Sequence, residues 1–209
     1  MQKKGFPFVQ GKPFLLTILF IDAILKDMKA VISSKRLTLR NMSREDFGAV
    51  KEMLGDARVT YAWERTFSDA EIYEWIDRRL MGYEKNGMDY MLAINEKGVP
   101  VGQIGLLKEN IDGREYWGIG WILCYRFWHK GYAREGAAAC ADYAFHALGA
   151  AEVIADIRPE NSASVAVALS LGMKPSGTFD KIVGDKIMPH TLYVLKRSDW
   201  ENESQRCKL

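Results

Sequence analysis

Cysteine and histidine are scarce in this sequence, with three of each among 209 residues. Cys124, Cys140 and Cys207 show no CxxC spacing, and the histidines are scattered along the chain. A zinc cluster or a disulfide framework needs clustered or regularly spaced ligands, so neither a metal site nor a disulfide-stapled fold is predicted. An odd number of unclustered cysteines is typical of a reduced, cytoplasmic protein.

Neither sign of charge is in excess, and no apolar run is long. The 29 basic and 27 acidic residues leave a formal net charge of +2, which argues against nucleic acid as a partner. The longest apolar run, Phe14 to Leu25, spans 12 positions and is interrupted by Thr17 and Asp22. A helix that crosses a bilayer needs about 20 apolar residues, so no membrane span is expected. Lysines precede the run as in a signal peptide, yet no small-x-small cleavage site follows it.

The length favours one globular domain with short appendages, since domains typically have about 100–200 residues. We expect a domain over residues 34–197, an N-terminal extension over 1–33 and a polar tail over 198–209. Met28 stands just before the first strand-like segment. Residues 1–27 therefore either belong to the protein or precede its natural start.

Hydrophobic periodicity predicts an α+β fold with about seven strands. We write the order as βααββββαβαββ. The helices begin near Ser43, Ser68, Ala133 and Ser162, the first two with capping-box signatures. The strand segments are Arg36–Arg40, Asp89–Asn95, Val101–Leu107, Tyr116–Leu123, Glu152–Ile157, Thr178–Val183 and Lys186–Leu195.

A single helix separates the segments Tyr116–Leu123 and Glu152–Ile157, so these two strands are expected to be parallel with a right-handed crossover. The helix opens with His129-Lys130-Gly131-Tyr132-Ala133, in which the glycine permits close backbone approach. The amides of a first helical turn are unpaired donors with partial positive charge, which suits a phosphate. A glycine near a helix start is also common where no ligand binds.

The segment from Arg158 to Ser164 leaves the second parallel strand at the same edge of the sheet. Where two parallel strands part, their freed backbone groups can pair with the amides of a slender ligand, and pantetheine is such a ligand. Asn161 is either a helix N-cap or a contact to that ligand. Ser164 is either a tolerated polar residue of the first turn or a second contact.

Spaced motifs follow one another in a fixed order: Gly120-Trp121-Ile122-Leu123, Trp128 to Glu135, Pro159 to Ser164, Leu171-Gly172-Met173 and Met188-Pro189-His190. Over about residues 35–196, this set resembles the GNAT superfamily of N-acetyltransferases. Within it, the chain is similar to the RimJ/RimL branch of ribosomal-protein N-terminal acetyltransferases and their small-molecule relatives. The resemblance implies a GNAT fold, in which a mixed and mostly antiparallel sheet of about seven strands carries helices on both faces, and acetyl-CoA as cosubstrate.

The resemblance also assigns roles to residues of the crossover. It implies that the backbone of Ile122 and Leu123 pairs with pantetheine and that Asn161 holds the pantetheine arm. Ser164 is implied as the catalytic residue, beside the thioester sulfur. Trp128 is usual in the branch, whereas His129 stands where a glycine is more frequent. The implied pyrophosphate cradle consists of His129, Lys130, Gly131, Tyr132, Ala133 and Arg134.

Acetyl transfer needs a neutral amine, donors for the developing oxyanion and a proton for the departing thiolate. Backbone amides near Leu123 and the Ser164 hydroxyl are candidates for the last two tasks. No base is evident, because many relatives read Glu-Ile-Gly-Tyr where this chain has Gly118-Ile119-Gly120-Trp121. Glu115 has an odd offset from Gly118 and is expected on the opposite face of the strand. Without a strong base, an α-amine with a pKa of about 7.7–8.0 is favoured over a lysine near 10.4.

The acceptor is expected to lie against the connection between the first two helices and against the closing hairpin. Residues in or near these segments form either a binding wall or a second layer of core, and we favour core for most of them. We expect His190 to be structural. The wall candidates are Tyr61, Trp63, Glu64, Arg65, Tyr83 and Tyr90.

Two functions of different classes remain. The first is an enzyme that moves acetyl from acetyl-CoA to a primary amine by direct attack in a ternary complex. Its acceptor is the N-terminal α-amine of a protein or a small molecule. The second is a non-catalytic acyl-CoA-binding or sensing module, which the missing carboxylate at Gly118 favours. Either function is compatible with a monomer or a homodimer.

Overall fold

The computed structural model of the protein describes residues 30–183 and 186–206. These residues build one eight-stranded mixed sheet, and its strands are β1 Ala30–Ser33, β2 Leu37–Arg40, β3 Tyr90–Asn95, β4 Pro100–Ile111, β5 Arg114–Leu123, β6 Glu152–Ile157, β7 Lys174–Val183 and β8 Lys186–Lys196. Their spatial order is β1-β2-β3-β4-β5-β6-β8-β7. Strands β5 and β6 are parallel, and the other neighbouring pairs are antiparallel.

The α-helices of the described residues are α1 Phe47–Leu54, α2 Asp69–Asn86, α3 Tyr132–His146, α4 Ser162–Ser170 and α5 Arg197–Arg206. Helix α2 begins at the predicted capping box, where the backbone and hydroxyl of Ser68 both donate to the Glu71 carboxylate. It ends at Gly87, whose φ of 76° is the left-handed conformation that stops helices. A short 3-10 turn, Tyr61–Trp63, lies in the connection between α1 and α2.

Helices cover both faces of the sheet, as β4 demonstrates. Gln103 accepts a hydrogen bond of 3.0 Å from the Trp75 indole of α2, whereas a side chain at Gly136 of α3 would overlap Ile104. Consecutive strand residues point to opposite faces, so α2 and α3 lie on opposite sides. This confirms the predicted α+β fold. Small buried residues bring α3 close to the sheet, namely Gly136, Ala137, Cys140, Ala141 and Ala144.

The element order differs from the prediction at the N-terminal side. Strand β1, inside the segment assigned to the extension, pairs with β2 through Ile32↔Leu39 and Ser33↔Thr38. Three strands lie between α2 and α3, as the three predicted segments indicate, whereas the written order counted four. The observed order is ββααβββαβαββα. A four-residue edge strand shows too little periodicity to be recognised in a sequence.

The C-terminal segment also differs, because residues assigned to a polar tail form helix α5. The ring of Trp200 lies 6.3 Å from that of Phe145, which belongs to the core. Asp199 pairs with Lys174 of β7 at 2.8 Å. The aromatic contact, the ion pair and hydrogen bonds from Arg197 to Ala151 and from Trp200 to Asp142 thus join a polar helix to the domain.

Some sequence features lie outside the described residues: Met28, the Gly184-Asp185 turn and Cys207. Cys124 and Cys140 are buried free thiols. Over residues 30–183 and 186–206, no helix is both long enough and apolar enough to cross a membrane. The same residues contain no cluster of three or more side chains suited to hold a metal ion.

Candidate active site

Strands β5 and β6 pair over a short stretch and then part. Their parallel register covers residues 117–118 of β5 and 153–154 of β6, whereas β5 runs on to Leu123 and β6 to Ile157. A cleft of about 700 Å³ opens where the strands diverge. This volume lies within the range of small-molecule and cofactor sites.

The start of α3 forms one wall of the cleft. His129 has φ 58° and Gly131 has φ 80°, so both hold the left-handed backbone conformation. Only glycine adopts that conformation without cost, so the backbone at His129 is strained and that at Gly131 is not. The helix N-cap is Gly131 itself, and the first-turn amides of a helix are donors without intrahelical partners. Successive amides around such a turn form a concave site for an anion.

An ion pair between Arg36 and Glu135, outside the cleft lining, holds this wall in place. The Glu135 carboxylate accepts from the Ser34 hydroxyl at 2.8 Å and from the backbone and Nε of Arg36 at 2.6 Å each. Burial by itself raises the pKa of Glu135, but the hydrogen bonds from Ser34 and Arg36 outweigh it and hold the pKa below its ordinary value. Arg36 Nη1 also donates to the Lys130 carbonyl at 3.1 Å. The turn before α3 is therefore tied to the β1–β2 connection.

The start of α4 forms the opposite wall. Asn161 is the N-cap, and its Oδ1 accepts from the Ser164 amide at 3.0 Å. The same oxygen accepts a 2.6 Å hydrogen bond from the Tyr61 hydroxyl. Asn161 and Ser164 also line the cleft. Asn161 is therefore an N-cap that also lines the cleft, and its contact to a ligand stays a prediction.

The connection between α1 and α2 is fastened over the cleft. Arg158 Nη1 donates to the Ala62 carbonyl at 2.7 Å, and Glu64 pairs with Lys186 at 2.5 Å and with Arg158 at 3.3 Å. The hydrogen bond from Lys186, followed by that from Arg158, lowers the pKa of Glu64. These contacts hold Tyr61 and its neighbours against the cleft.

A glycine of β5 admits a side chain from β4 into the cleft. The β4–β5 hairpin turns at Asp112-Gly113 and sets Leu107 opposite Gly118, so Glu109 is the diagonal neighbour of Gly118 on the same face. A Cβ built on Gly118 would lie 2.9 Å from the Glu109 Cγ. The Glu109 side chain therefore fills the space that a side chain at position 118 would occupy.

Glu109 belongs to a charged cluster with Asp156 of β6 and Lys181 of β7. The Lys181 Nζ lies 2.6 Å from Asp156 Oδ2 and 3.6 Å from Glu109 Oε1. Burial, and next the Asp156 carboxylate, raises the pKa of Glu109 above its ordinary value, although Lys181 opposes this. Burial lowers the pKa of Lys181, but the two carboxylates outweigh it and raise that pKa, so Lys181 stays charged. When ionised, the three groups carry one net negative charge.

Aromatic rings line the end of the cleft next to α2. Trp63 meets Trp75 edge-on with ring centroids 6.2 Å apart, and Trp121 lies on the wall formed by β5. The Tyr90 ring passes over Gly120, where a Cβ would overlap it. Arg79 lies with its guanidinium 4.8 Å from the Trp75 ring centroid. This end of the cleft combines flat apolar walls with charged groups.

Residues 36–174 match the family model described as an acetyltransferase (GNAT) domain. The chain belongs to this family. Members of the GNAT family use acetyl-CoA and transfer its acyl group to amines, and this chain is accordingly an N-acetyltransferase.

Individual relatives agree with this membership. An uncharacterised N-acetyltransferase, YnaD of Bacillus subtilis (strain 168), is 27% identical over 172 residues, which are 81% of this chain and 98% of the relative. A Vibrio cholerae spermidine N-acetyltransferase, solved with CoA and spermine, has a TM-score of 0.64 and 18% identity over 79% of this chain and 98% of its own. RimL, a ribosomal L7/L12 α-N-protein acetyltransferase, has a TM-score of 0.68 and 15% identity over 80% of this chain and 94% of its own. At such identities, the two solved structures show the shared GNAT fold.

In this acetyltransferase, one residue assigned to the pyrophosphate cradle does not line the cleft. The Lys130 Nζ lies 5.2 Å from the Phe127 ring centroid, and the Lys130 carbonyl accepts from Arg36. Trp128 donates its indole N–H to the Leu123 carbonyl at 2.9 Å, which ties the end of β5 to the cradle. The assigned residues that do line the cleft are Ile122, Leu123, His129, Gly131, Tyr132, Ala133, Arg134, Asn161 and Ser164.

The candidates for the acceptor wall divide between cleft and surroundings. Tyr83 belongs to the surroundings, because its hydroxyl donates to the Tyr90 carbonyl and accepts from the Met42 amide. His190 lines the cleft with its Nδ1 2.9 Å from the Met188 carbonyl. Tyr61, Trp63 and Tyr90 line the cleft, and Glu64, Arg65 and Tyr83 do not.

The sequence reasoning on this GNAT site missed Glu109, Asp156 and Lys181. A signal for Glu109 was present, because the predicted Asp112-Gly113 turn sets the hairpin register that places it beside Gly118. Asp156 and Lys181 carry no such local signal, since they come from strands that follow α3 and α4. Glu115, the alternative on β5, is exposed and does not line the cleft.

Proposed function

We propose that this GNAT enzyme transfers acetyl from acetyl-CoA to a primary amine by direct attack within a ternary complex. The observation that supports this proposal most is the cleft where β5 and β6 diverge. The same cleft reaches both the amides at the start of α3 and the charged cluster at Glu109. A cleft of this form accommodates a long, amide-bearing thioester at one end and an ammonium group at the other. Both substrates then meet between the two strands.

The residues of the cleft fit acetyl-CoA. In this proposal the backbone of Ile122 and Leu123 pairs with the pantetheine amides, and the amides of residues 129–134 hold the pyrophosphate. Asn161 holds the pantetheine arm, for which its Oδ1 exchanges the Tyr61 hydroxyl for a ligand amide. The Trp121 indole N–H, buried in the wall without a hydrogen-bond partner among the described residues, suits a ligand oxygen. Bound acetyl-CoA supplies the activated acetyl group.

Ser164 is the proposed catalytic residue on the thiolate side. It is half-buried in the first turn of α4, and its backbone amide is already taken by the Asn161 cap. The hydroxyl remains to donate its proton toward the departing sulfur, whose thiol has an ordinary pKa of about 8.5. A hydrogen bond made only as the thiolate forms raises kcat without tightening acetyl-CoA binding.

The proposed acceptor is a cationic amine, either the N-terminal α-amine of a protein or a small-molecule amine. The net negative charge of Glu109, Asp156 and Lys181 attracts an ammonium group, and the aromatic rings beside them offer flat apolar contacts. The RimL relative acts on an α-amine, and the spermidine acetyltransferase holds a polyamine. A RimJ/RimL-type protein acceptor is thus one proposal, and a polyamine the other.

A non-catalytic acyl-CoA-binding module loses its support, since that hypothesis depended on the missing carboxylate at Gly118. Glu109 carries a carboxylate into that space. We propose a cytoplasmic location, which the buried free thiols of Cys124 and Cys140 support. Cell fractionation that recovers the protein in an oxidising compartment would contradict this location.

The function is tested by calorimetry with acetyl-CoA and by a thiol-release assay with several amines. The amines are a peptide with a free α-amine, the same peptide blocked except for a lysine side chain, spermidine and kanamycin. We expect acetyl-CoA binding and thiol release with at least one of them. No heat on titration of acetyl-CoA into folded protein overturns the proposal.

Ser164→Ala tests the catalytic role within the same assay. We expect kcat to fall about tenfold or more while the acetyl-CoA dissociation constant stays within about twofold. Ser162→Ala is the matched control, because Ser162 lies in the same helical turn, is exposed and does not line the cleft. Equal turnover of the two variants shows that Ser164 is outside the proton path.

A further inference from the structure

We infer that Glu109 is the base of this acetyltransferase and takes the proton of the acceptor ammonium group in the space that Gly118 leaves open. The inference rests on the proposed function and adds a residue to it. The carboxylate is supplied by strand β4 rather than by β5, the strand of Gly118. Four observations carry it: the register, the burial, the charged neighbours and the lining of the cleft.

The register explains how a residue of β4 reaches this position. Residues 107 and 118 are paired, and Glu109 and Gly118 are diagonal neighbours on one face of the sheet. The Glu109 Cγ lies 2.9 Å, and its Cβ 3.9 Å, from the place of a Cβ at position 118. Any side chain at 118 would collide with Glu109. Glycine at 118 and glutamate at 109 are therefore complementary.

Charged and titratable groups face Glu109 from every neighbouring element. Arg79 faces it from α2, Tyr90 from β3, Asp156 from β6 and Lys181 from β7. On β5, Tyr116 is the residue directly opposite. Only about a fifth of the Glu109 side chain is exposed, at 19%, yet the residue lines the cleft. The carboxylate is thus shielded from bulk water on most sides and open on the side of the substrate cavity.

The two carboxylates of the cluster are not equivalent. Asp156 lies 2.6 Å from Lys181 Nζ and is held in a close ion pair, whereas Glu109 lies 3.6 Å from that nitrogen. Asp156 is therefore a positioning residue that holds Lys181 and raises the proton affinity of its neighbour. Burial and Asp156 raise the pKa of Glu109, which brings a carboxylate nearer to the working pH of a base.

With Glu109 as the base, every proton of the transfer has a donor and an acceptor. The ammonium form of the acceptor gives one proton to the Glu109 carboxylate and becomes a neutral amine. Its nitrogen forms a bond to the acetyl carbon while the carbon–sulfur bond breaks. The second nitrogen proton goes to the thiolate by way of the Ser164 hydroxyl, and Glu109 returns its proton to water. The products are an N-acetylamine, a thiol and one released proton.

A base at Glu109 changes the expectation for the acceptor. The argument for an α-amine depended on the absence of a base beside Gly118. A carboxylate in that place also serves an amine with a pKa near 10, such as a polyamine. The choice between the two acceptor classes then depends on the aromatic walls of the cleft and not on proton affinity alone.

The test compares Glu109→Gln with Glu115→Gln, using the panel amine that the wild-type enzyme acetylates fastest. Glu115 is a matched control because it is a glutamate on the partner strand of the same hairpin but is exposed and outside the cleft. At pH 7 we expect kcat/KM of Glu109→Gln to fall about a hundredfold or more, and that of Glu115→Gln to stay within threefold. Acetyl-CoA binding is expected to be unchanged in both.

The pH profile separates a base from a structural residue. The deficit of Glu109→Gln is expected to shrink as the pH approaches the pKa of the acceptor amine, because the amine is then neutral without help. A deficit that is constant with pH, in a variant that melts and binds acetyl-CoA like the wild type, overturns the inference. Turnover of Glu109→Gln within threefold of the wild type at all pH values overturns it as well.

A carboxylate swap tests the geometry directly. In Glu109→Ala/Gly118→Glu the carboxylate returns to the same space from the neighbouring strand, and the alanine Cβ lies 3.9 Å from the new Cβ. We expect at least tenfold higher kcat/KM than in Glu109→Ala, and a folded double variant without this gain counts against the inference.

If the wild type neither binds acetyl-CoA nor acetylates any panel amine, the proposed function itself fails. If the wild type is active and the Glu109 variants match it, only the role of Glu109 fails.

Discussion

Removing the Arg36 side chain tests how the α3 wall is held in place. Arg36→Ala deletes the Nε hydrogen bond to Glu135 and the Nη1 hydrogen bond to the Lys130 carbonyl, at 2.6 and 3.1 Å. The Lys130 carbonyl and the Gly131 amide belong to one planar peptide group, so a fixed carbonyl also fixes the direction of that amide. Arg36 thereby positions a donor of the proposed pyrophosphate cradle without lining the cleft itself.

The magnitude follows from the contacts. A hydrogen bond to a charged group contributes about 1.5–3 kcal/mol, and the 37% exposure of the Arg36 side chain reduces this to about 1–2 kcal/mol. For a domain of this size, the melting temperature falls by about 2–8 °C. A loss of about 1 kcal/mol in orienting one amide weakens acetyl-CoA binding about fivefold.

Thermal melting and calorimetry with acetyl-CoA check this prediction. Arg44→Ala is the matched control, because Arg44 also donates twice to one carboxylate, Asp77, at 2.9 and 2.7 Å, but outside the cleft and with greater exposure. We expect this control to keep the wild-type affinity and to melt closer to the wild type than Arg36→Ala does, because an exposed ion pair contributes little to stability. If Arg36→Ala melts and binds like the wild type, the bracing argument is refuted.

Two further variants test the same wall. Gly131→Ala places a Cβ on a residue with φ 80° and is expected to cost about 1–2 kcal/mol and to weaken acetyl-CoA binding. Its control Gly149→Ala has a similar strain at φ 67°, with open space around the Cβ and no place in the cleft lining, so calorimetry is expected to find normal affinity. Glu135→Gln tests the lowered pKa of Glu135, whose ionised form stabilises the fold above the ordinary glutamate pKa of about 4.3 and loses that effect as the pH falls further. Melting curves from pH 7 to 3 should show a smaller acid-induced loss of stability in Glu135→Gln than in the wild type, and parallel curves would contradict the assigned role.

Much of the part of the cleft proposed to hold acetyl-CoA could be predicted from local sequence. The glycine at 131, the asparagine at 161 and the serine at 164 lie at the ends of elements whose order was predicted, and these ends meet because parallel strands bring them to one edge. The Lys130 side chain does not line the cleft, so only the backbone amide of this residue is available to the proposed cradle, and a motif does not tell in which direction each side chain of a turn points.

The part of the cleft around Gly118 and Glu109 was much harder to predict from the sequence. Gly118 was interpreted as a missing carboxylate because only its own strand was considered. The turn that sets the β4–β5 register was recognised, and carrying that register four positions back from Ile111 and Arg114 leads to Leu107 and Gly118. Strand β1 was missed because it is short and because its pairing with β2 exists only in the folded chain.

The sequence by itself determined the fold class, the family and the segments proposed to face the cosubstrate, because hydrophobic periodicity, capping residues and motif spacing are local along the chain. Only the tertiary structure decided how far β5 and β6 stay paired, which side chains share the cleft and which charged groups surround Glu109. Glu109, Asp156 and Lys181 are separated by dozens of residues, and their burial and mutual distances exist only once the strands are side by side. Electrostatic character depends on those distances, so the base of the reaction could be proposed only from the folded chain.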